Sequence, residues 1–148
     1  MGRPLRMYEA DAYYFVTARC FQSRLLLRPS PRMAEVLGGV LAKAAEKHDV
    51  ELCGFVAASN HVHLLCRARD GALSDFMKYF LGNVAKKVGR LVDWRGQLWE
   101  RRFSAEKVLD DDALEGRLRY ILSHGVKEGL VRKPFRMAGP VLPAAAAR

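Results

Sequence analysis

The chain has 148 residues, half of them hydrophobic. That is enough for one domain with a real core, and it excludes a disordered polymer. A net charge of +9, from 25 Lys and Arg against 16 Asp and Glu, suits a polyanion, with nucleic acid a better fit than a membrane surface.

In chain order, residues 1–12 read as a polar, basic lead-in, 13–131 as a single domain and 132–148 as a loose tail. Tyr13 to Phe21 is rich in aromatic and β-branched residues and predicts a strand, which Arg28-Pro29-Ser30-Pro31 breaks. Met33 to His48 carries Met33, Val36, Leu37, Val40, Leu41 and Ala44 at helical spacing. Gly38 and Gly39 weaken that helix and suggest a close packing contact; His48 sits at its end in a capping role. Val50 to Ala58 and His61 to Arg67 predict two strands joined by the tight turn Ser59-Asn60, an antiparallel hairpin. Leu73 to Leu91 predicts a helix with one apolar stripe. Gln97 to Phe103 leads into a strand ending at Val108, and the acidic run Asp110-Asp111-Asp112 starts a helix reaching Lys127. The order strand, helix, strand, strand, helix, strand, helix fits an α+β fold. Its first six elements make a ferredoxin-like, split βαβ antiparallel sheet, and the seventh is free to cover the open sheet face.

Within the hairpin stands Asn60-His61-Val62-His63-Leu64-Leu65. A strand sends alternate side chains to opposite faces, so His61 and His63 project together, about 7 Å apart along the chain. Val62, Leu64 and Cys66 point the other way. Two imidazoles side by side can hold a divalent metal, or can be half-exposed histidines of an edge strand. The odd offset of Cys66 from both histidines argues against a zinc site shared with it. Cys20, Cys53 and Cys66 show no CxxC pair and read as reduced, mostly buried thiols. No segment approaches the ~20 apolar residues of a membrane span. The N-terminus lacks a signal-like apolar run, so the expected compartment is the cytoplasm, at the nucleoid.

On the last predicted helix, Leu114, Leu118, Ile121, Leu122 and Val126 form an apolar arc. Tyr120 and His124 fall outside it, one turn apart, with Arg117 and Lys127 on their side. Such a tyrosine is either a reactive phenol or a surface side chain with its hydroxyl in water.

Three separated pieces in one order carry a resemblance: Asn60 to Leu65, Leu98-Trp99-Glu100-Arg101-Arg102-Phe103, and Arg119 to Val131. Together they resemble the single-tyrosine HUH transposases, and the REP-associated tyrosine transposases in particular, over Tyr13 to Val131. The resemblance implies an enzyme that cuts and rejoins single-stranded or hairpin DNA through a 5′-phosphotyrosine. It assigns His61 and His63 to a divalent metal, Mg or Mn, His124 to the third ligand, and Tyr120 to the nucleophile. The chain departs from the family in two places: His124-Gly125 stands where Asn-Pro is common, and Ala58-Ser59 where Met-Pro precedes the Asn.

Lys86, Lys87, Arg90, Arg101, Arg102 and Lys107 are candidate phosphate contacts, or simply a solvated cationic face. Trp99 and Phe103 suit core packing, with base stacking as the functional alternative. Asn60 is a turn residue that can also orient the metal site. No GxxxxGK[ST] phosphate loop is present. Two other functions fit less of the sequence: a non-catalytic, domesticated nucleic-acid binder on the same fold, and a metal-binding protein without a DNA role. A monomer and a homodimer both fit.

Overall fold

Ser30 opens the first helix: its Oγ accepts the Met33 backbone N–H at 3.0 Å and Pro31 occupies the first helical position, where no N–H is needed. The computed structural model describes residues 7–69 and 72–127, with side chains described as far as Ser123. Its elements are β1 (Tyr13–Arg19), α1 (Pro31–Lys47), β2 (Val50–Ala58), β3 (His61–Ala68), α2 (Leu73–Val92), β4 (Ser104–Lys107) and α3 (Asp111–Lys127). The sheet order is β2-β3-β1-β4 and the three pairings are antiparallel. With helices on both faces this is the expected split βαβ arrangement plus a C-terminal helix.

Strand alternation divides the core in two. Tyr14, Val16, Ala18, Val62, Leu64 and Cys66 face α1 and α2, whose buried stripes (Leu37, Leu41; Phe76, Phe80, Val84) complete the larger cluster. Phe15, Cys53, Val56 and Leu65 face α3 and pack on Ile121, Leu114 and Leu118. Asp110 starts α3 by accepting the Ala113 N–H on Oδ1 at 2.8 Å, so the acidic run acts as a helix cap.

Three local expectations change. β1 ends at Arg19 because Gln22 and Ser23 adopt left-handed φ of 53° and 56° and turn the chain into a short 3-10 segment. The strand ahead of Val108 is confined to Ser104–Lys107; the preceding stretch touches the sheet through a Cys20–Trp99 bridge. Gly39 marks no packing contact, since a Cβ there would meet nothing within 4 Å. β2 carries a bulge: Leu52 pairs with Cys66, but the next paired residue is Gly54, with Leu65. Cys53 and Gly54 therefore both serve the α3 face. His48 is the C-cap of α1, as expected, through its backbone N–H to Ala44. The tail expected at 132–148 lies outside the described residues, and so do residues 1–6 of the lead-in.

Gly54 sets how closely α3 docks. A Cβ there would stand 3.2 Å from Leu118 Cδ1 and 3.5 Å from Ile121. Gly54→Val should destabilise the fold by about 1–3 kcal/mol through overpacking. Because it lifts the helix bearing Tyr120, it should also alter the site described below. Urea unfolding alongside an activity assay checks both effects.

All three cysteines are buried and none is in a disulfide. Burial pushes the Cys20 thiol up to about 11 and the Cys66 thiol up to about 12, from an ordinary 9.0. Both stay protonated in the fold after the unfolded chain would ionise. Their contribution to stability is thus fully present below about pH 9 and is lost as pH rises toward the folded values. The melting temperature should fall through that alkaline window. Iodoacetamide at about pH 8 should label none of the three in native protein and all in urea. Native labelling of Cys66 would contradict this packing.

Candidate active site

The pairing of β3 with β1 places His63 opposite Thr17 and His61 opposite Arg19. Cross-strand partners share a face, so Phe15, Thr17, Arg19, His61, His63 and Leu65 line the α3 side of the sheet. β3 is an inner strand between β2 and β1, which rules out the half-exposed edge arrangement. The histidines are 8% and 6% exposed. Their ring centroids are 4.8 Å apart at 72°, so the two imidazoles lie side by side, edge to face.

Each imidazole is held from behind. Asn60 Oδ1 lies 2.7 Å from His61 Nδ1, and the Asn60 Nδ2 donates to the Ser23 carbonyl, which turns the amide oxygen toward the ring. An amide oxygen only accepts, so a neutral His61 carries its proton on Nδ1 and its lone pair on Nε2. His63 Nδ1 is 2.9 Å from Thr17 Oγ1. A hydroxyl both accepts and donates, so this bond orients the His63 ring and is compatible with the same tautomer. Paired Nδ1 atoms with basic Nε2 atoms are the usual state of metal-binding histidines. Phe15 stacks on His63 at 5.0 Å and 23°, restricting its rotation.

α3 brings Tyr120 to this pair. Its ring meets His63 edge-on at 5.5 Å and Phe15 at 6.0 Å. Leu118 and Ile121 set the docking by packing over Gly54, and Arg117 lies over the Phe15 ring at 4.5 Å while bonding Glu106 at 2.7 Å. Tyr120 is 43% exposed: one side of the ring touches the site and the rest faces solvent, where a long substrate has access. The side chain of His124 lies outside the described residues. Among the described residues no cluster of three or more His, Cys, Asp or Glu gathers for a metal. Cys66 faces the other core, as its sequence offset requires.

The cations separate into groups. Arg101 and Arg102 lie near Thr17 and Arg19, at the histidine end of the sheet. Lys86, Lys87 and Arg90 are solvent-facing on α2, on the opposite side of the sheet. Lys107 pairs across from Tyr14 and bonds Glu9, away from the histidines. Trp99 and Phe103 pack on the larger core, and Trp99 Nε1 donates to the Leu81 carbonyl at 3.0 Å. The sequence reading missed Thr17 and Phe15. They alternate along β1 as one face, but nothing local announces that this face meets the histidines. No described helix is long and apolar enough to cross a membrane.

Residues 12–124 match the model of the family described as "Transposase IS200 like". A solved structure of a REP-associated tyrosine transposase bound to a REP hairpin is similar with a TM-score of 0.72 at 18% identity, covering 90% of this chain and 78% of that one. A putative transposase from Deinococcus radiodurans R1 gives a TM-score of 0.56 at 20% identity, covering 81% and 95%. At such identities the likeness is one of fold. No curated protein matches the chain in sequence.

Proposed function

The chain belongs to the IS200-like transposase family, and from that premise we propose that it is a metal-dependent single-stranded DNA endonuclease and transesterase that cuts and rejoins DNA beside hairpins. One observation carries the reading: His61, His63 and Tyr120 converge within a single chain, with centroids 4.8 Å apart for the histidines and 5.5 Å for His63 and Tyr120. The hairpin substrate is suggested by the related transposase bound to a REP hairpin.

In this reading His61 and His63 would hold Mg or Mn through Nε2, with His124 as a third donor. Such an ion, when bound, polarises the scissile phosphate and offsets its developing negative charge. The chain's own residues do the rest. Asn60 and Thr17 orient the imidazoles, and the Asn60 oxygen sets the tautomer of His61. Phe15 and His63 hold the Tyr120 ring, limiting the orientations its hydroxyl samples. The Tyr120 oxygen attacks phosphorus in line; a new tyrosyl P–O bond forms as the bond to O3′ breaks. The phenol loses its proton and the departing O3′ gains one. The product is a 5′-phosphotyrosine and a free 3′-hydroxyl. A phenol, with an ordinary pKa of about 10, leaves more readily than an alkyl alcohol, so an incoming 3′-hydroxyl reverses the step without ATP. The contact of Tyr120 with His63 of the same chain supports catalysis within one subunit. The net charge of +9 suits the DNA backbone.

The test is a denaturing gel for a covalent protein–DNA adduct. It uses labelled hairpin oligonucleotides from sequence flanking the gene, with manganese, magnesium or chelator. An adduct that needs metal is the expected result. Tight, salt-sensitive binding without any adduct would leave a DNA-binding protein and refute the transesterase.

A further inference from the structure

Beside the histidines, between the end of β1 and the stretch leading to β4, lies a cavity of about 500 Å³. That volume is in the range of small-ligand sites. Its walls include Thr17, Arg19, Gln22, Glu100, Arg101 and Arg102. Thr17 is also the partner of His63, and Arg19 stands across the strand pair from His61. The cavity therefore adjoins the proposed cutting centre on the same sheet face.

Three guanidinium groups make it a site for phosphate. Among the described residues neither Arg19 nor Arg101 forms an ion pair. Glu100 does not fit that role, because a carboxylate repels a phosphate. Yet Glu100 is firmly mounted. Its backbone N–H donates to the Arg19 carbonyl at 2.8 Å, its carbonyl accepts from Gln97 Nε2 at 3.0 Å, and its carboxylate accepts the Gln22 N–H. Gln22 presents that N–H from a left-handed backbone, a conformation non-glycine residues seldom adopt and one that recurs at functional sites. An ionised carboxylate offers about four lone-pair sites and only accepts, so one bond to Gln22 leaves it able to receive further donors.

Resting on the DNA-processing reading above, we infer that this cavity seats one unpaired nucleotide next to the cut, its phosphate on the arginines and its base on Glu100. The acceptor-only carboxylate selects the base. Guanine presents two adjacent donors, N1–H and the N2 amino group, on its Watson–Crick edge, matching two carboxylate oxygens. Adenine and cytosine each set an acceptor nitrogen beside their single amino group, and thymine flanks its N3–H with carbonyls. Guanine is therefore the preferred occupant.

The test uses the full chain in EDTA with a pool of hairpin oligonucleotides whose two single-stranded arms are randomised. Bound and unbound fractions are sequenced. Wild type should enrich guanine at one arm position about ten-fold, within the range of a bidentate pair. Glu100→Gln keeps an acceptor for the Gln22 N–H but places an amide donor toward the base, so the enrichment should fall below about two-fold, with retention lost from the guanine-bearing members and kept for the rest of the pool. Arg101→Gln should weaken retention of the whole pool and lower the salt dependence by about one ion, leaving the guanine preference in place. A pool retained without guanine preference, or a preference that survives Glu100→Gln, overturns the nucleotide site and leaves the transposase reading standing. Failure of wild type to retain any of the pool overturns both.

Discussion

Tyr120→Phe should abolish the covalent adduct, by more than about 1000-fold, while hairpin binding stays within about two-fold of wild type. The substitution removes one oxygen and keeps the ring. The edge contacts to His63 and Phe15, at 5.5 and 6.0 Å, are therefore retained. Tyr120 is 43% exposed as a residue, so the substitution should change stability by no more than about 0.5 kcal/mol. Binding by fluorescence anisotropy and adduct yield on a denaturing gel separate the two effects. Adduct formation by the variant would move the nucleophile elsewhere. Mixing Tyr120→Phe with a His63→Ala protein adds a second reading. If the tyrosine serves the histidines of its own chain, as the ring contact suggests, the mixture stays inactive. Restored adduct would mean exchange of α3 between subunits.

The second large effect concerns the histidines. His61→Ala or His63→Ala should reduce metal-dependent adduct formation by more than about 100-fold, with hairpin binding in chelator preserved. His63→Ala also opens a gap beside Phe15, so its melting temperature is a necessary companion measurement. Thr17→Val is the sharper probe. It keeps the side-chain shape and removes only the hydroxyl 2.9 Å from His63 Nδ1. Loss of such a supporting bond typically costs 10–100-fold in metal affinity or activity. Calorimetric titration with manganese should show that loss, and raising the manganese concentration should recover part of the adduct yield. Unchanged manganese affinity in both histidine variants would remove them from the metal site.

Much of this arrangement was legible along the chain. Two histidines at i and i+2 share a face by strand geometry alone, and Cys66 at an odd offset falls on the other. The start of the last helix was marked by the acidic run at Asp110, whose capping chemistry is local, whereas Ser30-Pro31, read as a strand break, is also the start of α1. The seventh element was free to cover the sheet face left open by the first six, the face on which the histidines lie.

Other features have no local signal. The bulge at Cys53 and Gly54 depends on the register between β2 and β3, which is a property of two strands. The sequence makes Asn60 a turn residue; only the fold shows its amide turned by Ser23 so that the oxygen meets His61. Lys86, Lys87 and Arg90 looked equivalent to Arg101 and Arg102 as charges, but the sheet separates them into opposite layers.

The sequence by itself determined the elements, their order, the shared face of His61 and His63 and the helical position of Tyr120, because these follow from backbone periodicity and capping within a few residues. Only the tertiary structure decided what meets what. Thr17 reaches His63 through strand register, Tyr120 reaches it because Gly54 lets α3 settle on the sheet, and Arg19 and Glu100 share a cavity through a bridge between distant segments. Those contacts join residues far apart in the chain. They are set by how the two faces of one sheet bury their apolar surface, which no short stretch of sequence contains.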